Sequence, residues 1–146
     1  YPSHAENVSI LARFDKASPL DELTAVVSEE ELCEAIRALP EVYICPELME
    51  YISYIVEATR SYPHVVLGVS PRGALALMRA AKGYAAIAGR DYVLPDDIKR
   101  AAVPVLAHRI VFQNSFYHRG DLGKTLIEGI LESVAVPSEE INFSRR

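Results

Sequence analysis

Residues 70–89 read SPRGALALMRAAKGYAAIAG, which is the pattern of a long helix that packs closely against a neighbour. Ser70 can cap such a helix, Pro71 suits its first turn and Gly89 favours its end. Small or apolar side chains recur between these ends at the spacing of one helix face: Ala74, Met78, Ala81, Ala85 and Ala88. We therefore predict a helix whose small side chains allow close contact with another helix.

Helical spacing continues toward the N-terminus. Capping boxes at Ser3–Glu6 and Ser28–Glu31 predict two helix starts, with the first helix ending near Lys16 and the second at Pro40. Pro46 opens a third helix, whose buried stripe recurs every three or four residues: Leu48, Tyr51, Ile52, Ile55, Val56 and Thr59. Residues 64–69 are apolar enough for a strand but too isolated to build a sheet, so we expect an extended linker.

Two more helices follow toward the C-terminus. Pro95 begins one, with Asp96 and Asp97 at its positive end and Pro104 expected to bend or interrupt it, and the other follows Asp121. The sequence leaves open whether the short segments 42–44 and 92–94 pair with each other. The predicted fold class is all-α, a compact bundle of about five to six helices with room for a very small β ribbon.

Length, charge and cysteine content limit the classes of protein to which the chain can belong. The chain has 146 residues and a net charge of −5, which predicts one domain over residues 1–146 with an extended tail from about residue 137. The acidic balance argues against nucleic acid and membrane as partners, and without a signal pattern or a long apolar run we expect a soluble, cytoplasmic protein. Cys33 and Cys45 have the pattern of ordinary buried thiols, and no metal site is predicted. Because the sequence opens at Tyr1 without Met, we expect a piece of a longer protein.

A Gly-Lys-Thr sequence at 123–125 suggests a phosphate-binding P-loop, but the rest of that motif is missing. The motif requires an earlier glycine where His118 stands, a strand before it and further parallel strands after it. Too few residues follow Thr125 to build those strands. We therefore predict an ordinary helix start that contains glycine.

The histidines and the acidic runs do not form a recognisable catalytic or binding pattern. No histidine lies beside a nucleophile and an orienting acid, so each is interpreted as a surface or structural residue: His4, His64, His108 and His118. The acidic runs 29–31 and 96–97 fall in predicted first turns, where carboxylates stabilise a helix by about 0.3–1 kcal/mol. These groups therefore predict no catalytic site.

Arg72 is different, because a cation in the first turn of a helix opposes the helix dipole by about 0.3–1 kcal/mol. Backbone N–H groups at a helix start and a guanidinium both suit phosphate oxygens, so residues 70–72 are a candidate for one half of a phosphate site. Arg79 and Lys82 extend a basic face along the same helix. The alternatives are a solvated basic stripe and a pairing of Arg72 with a nearby carboxylate.

The segment GVSPRGALALMRAAK at 68–82 resembles the sensor-2 helix of MoxR-type AAA+ ATPases. The sequences GRDYV, PDDIK and PVLAHR, which lie between residues 89 and 109, are similar to the segment that follows in that family. Residues 1–3 and 10–13 resemble the passage from the nucleotide-binding core into the lid. Two positions depart from the family: Leu94 stands where a capping Thr is frequent, and Gly73 stands where Ala is common and would loosen the first turn by about 1 kcal/mol relative to Ala.

This resemblance implies the C-terminal helical lid of an ATPase whose P-loop, Walker B strand, sensor 1 and arginine finger lie in a separate core domain. Arg72 would be the catalytic residue, a sensor-2 arginine that reaches the γ-phosphate of ATP, with Ser70 and Pro71 setting its helix start. The core would hold ATP and Mg²⁺, so this chain alone is expected to be inactive and to bind ATP weakly or not at all.

The partners implied by the resemblance are the core domain of the same chain, neighbouring subunits of a hexamer and a protein with a von Willebrand factor A domain. The ATPase would couple hydrolysis to chaperone-like remodelling of such a partner. The competing hypothesis is a non-enzymatic helical interaction module, whose basic face of Arg72, Arg79 and Lys82 docks an acidic protein.

Overall fold

The computed structural model describes residues 1–15, 18–113 and 119–137. Over these ranges the chain has six α-helices and one two-stranded sheet, which confirms the all-α class with a very small ribbon. It divides into two compact units, Tyr1–Ile36 and Arg37–Arg146. The single domain over 1–146 stays a prediction, and the predicted extended tail lies almost entirely outside the described residues. None of the described helices is long and apolar enough to cross a membrane.

The first unit contains helix α1 (His4–Phe14), a 3-10 helix (Pro19–Glu22) and the start of α2 (Glu29–Ala38). Both predicted capping boxes form. The Ser3 N–H donates to Glu6 Oε2 at 2.7 Å, and the Ser28 N–H donates to Glu31 Oε2 at 2.7 Å. The acids at 29–31 therefore occupy the first turn of α2, as predicted.

The second unit holds the core. Its helices are α3 (Pro46–Arg60), α4 (Pro71–Ile87), α5 (Pro95–Leu106) and α6 (Arg119–Ser133). Each helix contributes fully or almost fully buried side chains, among them Leu48, Ile55, Leu77, Ala81, Ile98, Leu106 and Ile127. α5 runs through Pro104 for two residues before a 3-10 helix (Ala107–Arg109) continues the chain, so Pro104 does not interrupt it.

The helix predicted within residues 70–89 is α4. It packs on both α3 and α5, with its largest contact on α5. Its buried residues are Gly73, Leu77, Ala81 and Ala85, one in each successive turn. The predicted face was therefore wrong in part, because Ala74 and Met78 are only half-buried and Ala88 is exposed. Small side chains of α5, including Ala101 and Ala102, are completely buried, which is consistent with close contact between the two helices.

The extended segments find partners from distant parts of the chain. Strand β1 (Val65–Leu67) pairs antiparallel with β2 (Val111–Phe112), so the expected linker at 64–69 contains a paired strand. The segments 42–44 and 92–94, whose pairing the sequence left open, form a single parallel bridge between Tyr43 and Tyr92. In it the Val93 N–H donates to the Tyr43 carbonyl at 2.9 Å. These short pairings join the loops between helices.

An ion pair organises the start of α5. Asp97 is 7% exposed and accepts hydrogen bonds from Arg90 Nη1 at 2.8 Å and Nη2 at 2.7 Å. It also accepts from the Leu94 N–H at 2.8 Å, which fixes the first turn although Leu94 has no side-chain oxygen to cap it. Burial acts to raise the pKa of Asp97, but the bonds from Arg90 and Leu94 outweigh it and the pKa is lowered.

Candidate functional site

The predicted site residues lie together at the start of α4. Ser70 is the N-cap in extended conformation (φ −79°, ψ 165°), Pro71 is the first helical residue and Arg72 is the second. The Ser70 hydroxyl makes no capping hydrogen bond, contrary to the expectation from its residue type. The turn is set instead by the Pro71 ring and by backbone hydrogen bonds.

Arg72 is exposed, and no hydrogen bond or ion pair joins its guanidinium to another described residue. The alternative in which a nearby carboxylate neutralises Arg72 is therefore not realised within the described ranges. The N–H groups of Gly73 and Ala74 both donate to the Ser70 carbonyl, at 2.8 and 3.2 Å. The arrangement consequently offers a phosphate one guanidinium rather than a cradle of backbone N–H groups.

The chain that enters α4 is held by two side chains at the end of α3. Thr59 is fully buried; its hydroxyl donates to the Val56 carbonyl at 2.6 Å and accepts from the Val69 N–H at 2.9 Å. Arg60 Nε donates to the Val69 carbonyl at 3.0 Å. Both backbone groups of Val69 are thus bonded to α3, immediately before the N-cap of α4. We call Thr59, Arg60 and Val69 the α3 clamp.

Two glycines allow this close packing. A Cβ on Gly68 would lie 2.8 Å from the Cα of Arg60, and a Cβ on Gly73 would lie 2.4 Å from Cγ1 of Val69. Gly73 therefore permits contact with Val69, a role that helix propensity does not reveal. The interpretation of Gly73 as a residue that only loosens the first turn was incomplete, because the neighbour that crowds it lies outside α4.

The other two cations of the predicted basic face, Arg79 and Lys82, have different surroundings. Arg79 is exposed on α4, but Lys82 is half-buried and its Nζ donates to the Pro40 carbonyl at 3.0 Å. That bond joins α4 to the 3-10 helix Leu39–Glu41 that follows α2. The three cations of the docking hypothesis therefore do not form one uniformly free stripe.

The rejected motifs are explained by their surroundings. The Gly-Lys-Thr residues lie inside α6, where a Cβ on Gly123 would meet the Ala107 carbonyl oxygen at 2.5 Å, so they do not form the phosphate-binding loop that precedes a helix in the P-loop motif. His4, His64 and His108 are exposed, and His118 lies outside the described residues. Cys45 is buried and its burial raises the pKa of the thiol, whereas Cys33 is half-buried.

A groove of about 510 Å³ lies between α3 and α4, beside the start of α4. Most of its lining is apolar and includes Met49, Leu75, Met78 and Pro71. Met49 and Leu75 are 47% and 51% exposed. Apolar side chains of this size at an open groove are typical of a surface that meets another protein or domain.

Comparison with known proteins assigns this arrangement to a class. A family model described as the AAA lid domain matches residues 57–126, which run from the last turn of α3 into α6. The crystal structure of a predicted ATPase from Cytophaga hutchinsonii has a TM-score of 0.77 at 29% identity, over 93% of this chain and 44% of that one. The chain therefore contains an AAA lid domain.

Its relatives narrow the assignment. The chain is 38% identical over 137 residues to the uncharacterised protein YeaC of Bacillus subtilis, which covers 94% of this chain and 43% of YeaC. It is 28% identical over 146 residues to the chaperone MoxR1 of Mycobacterium tuberculosis, over 94% of this chain and 38% of MoxR1. Together with the family model, these relatives support a MoxR-type AAA+ lid domain. The chain spans about two fifths of the length of these relatives, 43% and 38% respectively.

Proposed function

We propose that Arg72 is the sensor-2 arginine of an AAA+ ATPase and acts on ATP held by a core domain. The observation that supports this most is the exposed Arg72 guanidinium at the start of α4, without a partner among the described residues. The helix dipole disfavours a cation in the first turn of α4 by about 0.3–1 kcal/mol, and a bound anion would offset this cost. A phosphate group presented by another domain is such an anion.

The chemistry required of this chain is electrostatic. Phosphoryl transfer spreads negative charge over the oxygens of the transferred group, and a positioned guanidinium stabilises that charge. The core would hold ATP and Mg²⁺, which would supply the reacting phosphate and a cation that neutralises part of its charge. The chain contributes Arg72, with Ser70 and Pro71 fixing where its helix begins. Alone, it is expected to be inactive.

We propose further that the lid meets the core of the same chain and neighbouring subunits of a hexameric ring in the cytoplasm. The apolar groove beside Pro71, with exposed Met49 and Leu75, supports a surface that another domain covers. The relative named chaperone MoxR1 supports chaperone-like remodelling of a partner, for which a von Willebrand factor A domain protein is the candidate.

The test compares Arg72→Ala with Arg79→Ala in the full-length protein. Both variants remove one exposed arginine from α4, so they change the net charge equally. We expect Arg72→Ala to lower kcat for ATP hydrolysis by about ten-fold or more, because a charge that acts in the transition state is lost. Arg79→Ala is expected to leave kcat within about two-fold of the wild type. Equal turnover in all three proteins would contradict the proposal.

A further inference from the structure

We propose that Thr59 is a positioning residue that sets the direction of Arg72 from the end of α3. This inference rests on the proposed function, since it requires Arg72 to act on ATP. Thr59 itself is fully buried and touches no substrate, so its effect would pass through the backbone that enters α4.

The first step is the placement of the Thr59 hydroxyl on a largely apolar face of α3. The other buried residues of α3 are Leu48, Tyr51, Ile52, Ile55 and Val56. A buried hydroxyl on such a face is unfavourable unless it is hydrogen-bonded. Thr59 uses its hydroxyl fully, because it donates to the Val56 carbonyl and accepts from the Val69 N–H. The hydroxyl therefore serves the segment before α4.

The second step is the stiffness of the connection between this hydroxyl and Arg72. Val69 is bonded through its N–H to Thr59 and through its carbonyl to Arg60, and it is completely buried. Ser70 and Pro71 alone separate it from Arg72, and the Pro71 ring fixes φ near −65°. With both backbone groups of Val69 held, the first turn of α4 has little freedom to rotate. The α3 clamp thus fixes the direction in which Arg72 leaves the helix.

The expected consequence is a loss of turnover without loss of the fold. Thr59→Val keeps the shape but leaves the buried Val69 N–H without its acceptor, so the start of α4 shifts or loosens. In the full-length protein we expect kcat to fall by about ten-fold while KM for ATP changes little, because small displacements of catalytic groups reduce the rate strongly. Thr59→Ser retains the hydroxyl and is expected to keep kcat within about two-fold of the wild type.

A matched control separates positioning from general destabilisation. Ser133→Ala removes a hydroxyl that, like that of Thr59, donates to the carbonyl three residues earlier, Ile130 at 3.0 Å, but it lies at the end of α6, and the substitution is expected to leave kcat unchanged. The double variant Thr59→Val/Arg72→Ala is expected to have the kcat of Arg72→Ala alone, because Thr59 acts only through Arg72. All rates are measured on protein shown by circular dichroism to be folded at the assay temperature.

Arg60→Met provides a second test if Thr59→Val does not fold. This substitution at an exposed residue removes the bond from Nε to the Val69 carbonyl together with one positive charge, and it is expected to lower kcat by a smaller factor than Thr59→Val. If Arg72→Ala lowers kcat but folded Thr59→Val and Arg60→Met keep wild-type kcat, the positioning role is wrong and the proposed function stands. If Arg72→Ala itself keeps wild-type kcat, both are wrong.

Discussion

Replacing Gly73 by alanine sets two effects of known sign against each other. Alanine is favoured over glycine in a helix interior by about 1 kcal/mol. The added Cβ, however, would lie 2.4 Å from Cγ1 of Val69, well inside the separation of about 3.5–4.0 Å at which carbon atoms attract. The sign of the stability change therefore depends on whether Val69 can move.

Val69 has little room to yield. It is completely buried, its χ1 is restricted by β-branching, and the α3 clamp holds both of its backbone groups. Overpacking of this kind costs about 1–3 kcal/mol, which exceeds the gain in helix propensity. We expect Gly73→Ala to lower the free energy of unfolding by about 1 kcal/mol.

Gly83→Ala in the same helix is the matched control. A Cβ on Gly83 meets nothing within 4 Å, so only the propensity gain remains and unfolding becomes less favourable by about 1 kcal/mol. Urea unfolding of the purified chain, with m unchanged, measures both variants. In a Val69→Ala background the clash is absent, and Gly73→Ala is expected to become stabilising. If Gly73→Ala stabilises the wild-type chain as much as Gly83→Ala does, the steric reasoning is refuted.

Two further substitutions test the core of the second unit. The pKa of Asp97 is lowered in the folded state, so its ionised form stabilises the fold above the unfolded pKa of about 3.9, and this stability is lost as the pH falls through the folded value. Asp97→Asn is expected to reduce the free energy of unfolding by about 2 kcal/mol at neutral pH, and by progressively less as the pH falls below the unfolded pKa; a difference independent of pH would contradict this. The buried Tyr51 hydroxyl has no hydrogen-bond partner among the described residues, so Tyr51→Phe is expected to stabilise the chain by about 1 kcal/mol; a loss of stability in urea unfolding would contradict this.

Local signals were sufficient to predict the helices. Capping boxes at Ser3–Glu6 and Ser28–Glu31 act within one turn, and the proline at the start of α3, α4 and α5 acts through its own ring. Such signals depend only on residues close in sequence, which is why the helix starts were found at Pro46, Pro71 and Pro95.

Contacts between distant segments could not be predicted in the same way. β1 appeared isolated because two α-helices and a 3-10 helix separate it from its partner β2. Nothing in the local sequence indicated that Lys82 bonds to the Pro40 carbonyl. Gly73 illustrates the same limit, since its packing against Val69 depends on how α3 holds the preceding loop. The buried face of α4 was shifted for this reason too, because two helices pack on it and local spacing alone does not reveal which residues lie deepest.

The candidate site likewise contains one residue that local sequence indicated and one that only the tertiary contacts reveal. From the residues alone, a phosphate site at Arg72 was one alternative beside a solvated basic stripe and a pairing with a carboxylate, and the resemblance supplied the proposed sensor role. Thr59 was assigned to an apolar stripe, and only its two hydrogen bonds show that it holds the start of α4. A Thr among apolar residues was the available signal, but β-branched Thr is common at such positions, so the pattern could not distinguish packing from positioning.

The most direct test of the proposed role is a structure of the full-length protein bound to a non-hydrolysable ATP analogue. The quantity to measure is the distance from the Arg72 guanidinium to the γ-phosphate oxygens. We predict hydrogen-bond contact, at about 2.7–2.9 Å, with the α3 clamp intact. A closed nucleotide site in which Arg72 points to solvent and another cation of the lid contacts the γ-phosphate would contradict the assignment.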